Sequence, residues 1–131
     1  MRHSRFAIVA LTTSAMLIAS PVLAADAGAE ITSAAMHAGL AAQATDIATV
    51  HTHLHHTVNC LVGPGGTGFD AKELNPCANT GNGAIPDSSN PQTKQDLQAA
   101  LAKANSGLAA SDLSAAQKDA SDTEAMLKTI K

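Results

Sequence analysis

Between Val62 and Gln92 the chain places six glycines and four prolines in 31 residues, and this stretch separates two alanine-rich arms. Asn75, Asn79, Asn82 and Asn90 add further turn propensity, so no regular element is expected there. The arms must therefore supply the core.

The first arm runs from about Gly28 to Leu61, where Ile31, Leu40, Ile47, Val50, Leu54, Val58 and Leu61 recur mostly at three- and four-residue steps. This spacing predicts one amphipathic helix, with Thr32 or Ser33 available to cap its start and Gly63-Pro64 to stop it. The second arm, from about Gln92 to Lys131, puts Leu97, Leu101, Ala104 and Leu108 on one stripe, with Met126 and Ile130 near it. Ser89-Asn90-Pro91 suits a helix start. Asn105-Ser106-Gly107 is a weak point where the helix could kink, and Ser111-Asp112 offers a fresh cap. The expected fold is all-α: an antiparallel helical hairpin with a helix at about 28–61, a Gly/Pro-rich loop at about 62–92 and a helix at about 92–131. Two such hairpins could pair as a homodimer into a four-helix bundle.

The core of that hairpin is thin. Residues 25–131 hold 23 alanines against 19 larger apolar side chains, and the whole chain has no Trp or Tyr. A chain so poor in bulk needs a staple, a metal or a partner. Cys60 and Cys77 are the staple expected of an exported protein, closing a loop of about 17 residues. Phe69, Leu74 and Ile85 would lay that loop against the helices.

Export is read from the first 24 residues. Arg2 and Arg5 give a basic start, Phe6 to Ser20 is an apolar run, and Val22-Leu23-Ala24 suits cleavage. The run is shorter than the ~20 apolar residues that cross a bilayer. Residues 1–24 therefore read as a secretory signal peptide and 25–131 as a single domain, periplasmic or secreted, with no membrane insertion after cleavage. That product has six Lys, no Arg and eleven acidic residues, a formal charge of −5. With one Phe and no basic face, nucleic-acid binding is excluded as a function class.

Four of the histidines fall within six residues, His51-Thr52-His53-Leu54-His55-His56, and His37 lies upstream. On one continuous helix at about 100° per residue, His51 and His55 border the apolar stripe as an i,i+4 pair. His37 then stacks on the same edge, while His53 and His56 form an i,i+3 pair facing solvent. Imidazoles so spaced share a cation, and His is the commonest metal ligand. A pair does not complete a four-coordinate site. Water, a carboxylate such as Asp112 or Asp119, or the same pair from a second chain would supply the rest. Nitrogen donors suit Cu(II), Zn(II) or Ni(II), and an oxidised Cys60–Cys77 pair would withhold the thiolates that Cu(I) prefers. The same cluster is also compatible with a soluble helix end favoured by the helix dipole, or with a pH-responsive interface.

Other chemistry is weaker. Gly63 to Gly68 lacks the Lys-Ser/Thr ending of a phosphate loop. Asp70, Glu73 and Asp87 lack EF-hand spacing and read as turn residues. A Cys60–His56 nucleophile competes with the disulfide, and Met36 and Met126 are too few for a thioether site. No nucleophile, base and orienting group stand together, so an enzyme is not expected. The sequence points to a histidine-rich metal-binding protein that sequesters or delivers a divalent ion, with a non-catalytic interaction module of the cell envelope as its rival.

Overall fold

The computed structural model describes residues 25–130, which form five helices and no strand. The signal peptide expected at 1–24 lies outside the described residues. No helix among them is long and apolar enough to cross a membrane.

Asp26 caps α1 (Ala27–Gln43), its carboxylate accepting from Ala29 N at 2.9 Å. Helix one thus starts ahead of Thr32 and Ser33, and the Thr32 hydroxyl instead donates back to Gly28 O. The chain turns at Ala44–Asp46 and restarts as α2 (Ile47–Val62). Asp46 causes the restart: its carboxylate accepts from both Thr49 N and Thr49 Oγ1 at 2.8 Å, a side-chain cap in the ordinary sense. The continuous helix expected over 28–61 is therefore two helices folded against one another.

The second arm divides likewise. Asn90 caps α4 (Pro91–Ala109) by accepting from Gln92 N and Thr93 N, with Pro91 in the first turn. This helix continues through Asn105-Ser106-Gly107 and ends before Ser111. Asp112 then caps α5 (Leu113–Thr129) through Ala115 N at 2.9 Å. The stretch between the arms contains one short helix, α3 (Ala84–Asp87), where none was expected.

α1 packs on α2 and α5, and α4 packs on α2 and α5. Contacts run antiparallel at each seam: His37 meets His53, Lys103 meets Asp119, and His51 meets Ala110. The result is an up-down-up-down four-helix bundle within a single chain. This corrects the two-helix hairpin; four helices assemble without a second chain because each arm folds back on itself.

Leu54, Leu61, Leu97, Leu127, Val50 and Val58 fill the centre, and buried alanines on α1, α4 and α5 complete it. Small residues set the helix spacing. A Cβ on Gly107 would stand 2.7 Å from Leu54 Cδ1, so α4 approaches α2 too closely for a side chain there. Gly63 ends α2 with φ 67°, and a Cβ would meet Asn82 O at 1.6 Å; only glycine fits.

Both inter-helix turns at one end are tied across the bundle. The Gln117 amide of α5 donates to Ala44 O at 2.8 Å, and the His51 ring of α2 lies 3.0 Å from Ala110 O, to which it donates. These bonds satisfy carbonyls left free at helix C-termini.

At the other end Cys60 and Cys77 form the expected disulfide, their Cα atoms 5.2 Å apart. Asn59, fully buried, clasps the same loop: its amide donates to Asp70 O and Leu74 O, and its Oδ1 accepts from Asp70 N. Glu30 reaches from α1 to accept from Gly83 N at 2.8 Å, and burial first, then the nearby Asp87 and Asp26 charges, push its carboxyl above the usual range. Phe69 and Ile85 pack on the core as expected, whereas Leu74 is exposed.

The disulfide closes 17 residues, a loop worth about 3 kcal/mol in the chain-entropy account. Cys60→Ala/Cys77→Ala is therefore expected to lower the free energy of urea unfolding by about that amount while the helical circular dichroism persists. An unchanged urea midpoint would show that the Asn59 and Glu30 contacts hold the loop unaided.

Candidate metal centre

The reversal at Ala44–Asp46 carries His37 of α1 over the middle of α2, where it meets His53 and His56. Thr57 sets the register: its hydroxyl lies 3.2 Å from Ala34 O on α1 and 3.1 Å from His53 O on its own helix. His37 Nδ1 and His53 Nδ1 are 3.3 Å apart. The ring of His56 stands edge-on to both, with centroids 5.0 Å from His37 and 5.5 Å from His53. One ring nitrogen from each of the three lies within 4.8 Å of the others, a grouping that could hold a metal ion.

These distances suit a cation. Two nitrogens bound at about 2.0–2.1 Å to one tetrahedral zinc stand roughly 3.3 Å apart, so the His37–His53 spacing already matches one edge of such a site. His56 Nδ1 is buried with no hydrogen-bond partner. A buried ring nitrogen without a partner is costly, and in its unprotonated form such a nitrogen can ligate a metal ion. Its Nε2 lies 3.8 Å from Glu73 Oε2.

Burial disfavours the charged form of two of the three rings, His37 and His56. Burial, followed by the neighbouring His56 and His53, lowers the His37 pKa from 6.5 to about 4. Burial and then His53 also lower that of His56, against an opposing pull from Glu73. Neutral imidazole is the form that ligates a metal.

The faces differ from those expected of one long helix. His56 is buried and His53 half-buried, because α1 covers the side of α2 that would otherwise face water. His37 crosses from the opposite helix instead of stacking four turns along the same one. The other two histidines among the described residues stand elsewhere: His51 is engaged at Ala110 O, and His55 Nδ1 lies 3.8 Å from Asp70 Oδ2. His51 and His55 do not join the three-histidine group. Neither carboxylate considered as a completing ligand is at the site, since Asp112 caps α5 and Asp119 binds Ser106 and Lys103. Glu73 beside His56 is the contact that sequence reasoning missed. Asp70 does serve its loop, accepting from Lys72 N.

No family model, curated protein or solved structure matches the chain.

His37 resists protonation in the folded state, so the unfolded chain binds more protons at mildly acid pH. Its contribution to stability is full above pH 6.5 and is lost progressively as pH falls toward about 4. In metal-free protein the urea midpoint should drop over that interval, and His37→Gln should flatten the drop. Equal slopes in the two proteins would contradict the burial of His37.

Proposed function

We propose that this chain is an exported metal-binding protein that holds one divalent transition ion between α1 and α2, with His37, His53 and His56 as its protein ligands. The observation that carries this reading is the 3.3 Å approach of His37 Nδ1 and His53 Nδ1, with one ring nitrogen from each of His37, His53 and His56 within 4.8 Å of the others. Three nitrogen ligands with one open position suit Zn(II), and the same donors bind Cu(II) more tightly and Ni(II) also. Cu(I) is disfavoured because both cysteines are committed to the disulfide. The basic, apolar leader and the disulfide support export to an oxidising compartment.

Sequestration or delivery fits better than catalysis. Two grooves, of about 760 and 910 Å³, are lined by other residues and include none of the histidines. The rival reading, an interaction module of the envelope, draws on the first of these grooves, where Met36 and Leu40 stand exposed between α1 and α5.

Dialysis against Cu(II), Zn(II) or Ni(II) at pH 7 is expected to leave one ion per chain. Metal at a hundredfold excess over Kd stabilises the fold by about 2.7 kcal/mol, which a raised melting temperature reports. Single changes of His37, His53 or His56 to Ala should abolish retention. His51→Ala/His55→Ala should keep the ion, with stability lowered by roughly 1 kcal/mol for the lost His51 bond. Retention of metal by His37→Ala/His56→Ala, or none by the unaltered protein, would overturn the proposal.

A further inference from the structure

Resting on that reading of the site, we propose that Glu73 is its outer-shell carboxylate: it holds His56 with the proton on Nε2 and so leaves Nδ1 as the metal-binding atom. A neutral imidazole carries one proton, and the hydrogen bond made by one nitrogen decides which nitrogen is free to ligate. In His56 only Nε2 faces an acceptor, the Glu73 carboxylate at 3.8 Å, while Nδ1 is enclosed without a partner. That separation exceeds a direct hydrogen bond. Glu73 is one-third exposed, so its side chain retains the freedom to close the gap.

The backbone that presents Glu73 is fixed in three ways. Asn59, three residues beyond His56 on α2, donates to Leu74 O at 3.1 Å and to Asp70 O at 2.9 Å. Cys60 follows and is bridged to Cys77. Phe69 anchors the near side of the loop on the core. The helix that supplies His56 thus also grips the peptide that supplies its carboxylate. Glu73 is not a ligand itself, because it stands outside the group whose ligand atoms lie within 4.8 Å. Asp70 also approaches a histidine at 3.8 Å, but it faces Nδ1 of His55, and His55 belongs to no such group. A carboxylate therefore bears on the proposed metal only at Glu73. Outer-shell carboxylates of this kind orient the ligating ring and raise its basicity, and their loss typically costs about 10–100-fold in affinity.

The test compares the unaltered protein with Glu73→Ala and Glu73→Gln. Zn(II) alone is titrated at pH 7 against a competing chelator, and the ring nitrogens of His56 are observed by 15N NMR in metal-free protein. His56 is expected to carry its proton on Nε2 in the unaltered protein and to mix tautomers in Glu73→Ala. Zinc affinity should fall about 10–100-fold in that variant with one ion still bound. Glu73→Gln, which keeps an acceptor oxygen, should fall between the two. Should Glu73→Ala fold poorly, the Gln variant carries the comparison. An unaltered tautomer or an unaltered affinity in the alanine variant overturns the assignment. If the unaltered protein takes no zinc, the metal function fails, and with it the outer-shell role; the His56 tautomer then still decides whether Glu73 orients the ring.

Discussion

On one continuous helix His37 and His53 would stand about 24 Å apart; the reversal at Ala44–Asp46 brings their Nδ1 atoms to 3.3 Å. Every feature of the candidate metal centre depends on that turn. The Asp46 cap contributes about 1 kcal/mol, the usual worth of such a side chain, and this is too little to fold two helices together. The reversal persists because other contacts agree with it. Gln117 satisfies Ala44 O from α5, and Thr57 lies between carbonyls of α1 and α2. His51 performs the matching service for the second turn at Ala110. One histidine of the cluster is thus a structural tie across the very end where the site's two helices are joined.

A core built on alanine explains why histidines can sit so deep. Large side chains hold helix axes apart, whereas Ala34, Ala38, Ala100, Ala104, Ala116 and Ala120 allow close seams and leave polar rings room between backbones. The arrangement costs stability: burial opposes protonation of His37 and His56, and the bare His56 Nδ1 forgoes a hydrogen bond. A buried acceptor left without a partner costs roughly 1–3 kcal/mol. A bound ion would offset that cost in the folded state, where the three rings are assembled, so metal affinity and folding become coupled. The disulfide offsets part of it without metal by limiting the unfolded chain.

Local chemistry was the legible part of this sequence. Asn90-Pro91, Ser111-Asp112 and Gly63 announce helix boundaries that the structure observes, and the two cysteines announce their bridge. The first-arm reversal was also written in the chain, as Asp46 three residues before Thr49. It was hidden because apolar spacing ran on through the turn from Leu40 to Ile47, and alanines flanking it fit either side of a helix. On one helix in place of two, the angular positions describe a surface that does not exist. His53 and His56 then pointed outward, and Leu40, which is exposed, pointed inward. The roles of His51 and Glu73 had no sequence signal at all. Each depends on where a distant segment ends, the C-terminus of α4 in one case and an aperiodic loop in the other.

That aperiodic loop links the cystine to the histidines, because it carries both Cys77 and the Glu73 that stands beside His56. By locking both sulfurs, the bridge withdraws the thiolates that Cu(I) prefers, and the proposed ligand set is all nitrogen, which suits divalent ions. By closing residues 60–77 it also fixes the peptide that carries Glu73 beside His56. These two effects are chemically separate, one acting on ligand type and the other on ligand orientation, yet both follow from the same covalent bond. A reducing environment would reverse them together, offering new thiols while loosening the carboxylate that orients a ring. An oxidising compartment would keep the bond closed and with it the nitrogen site.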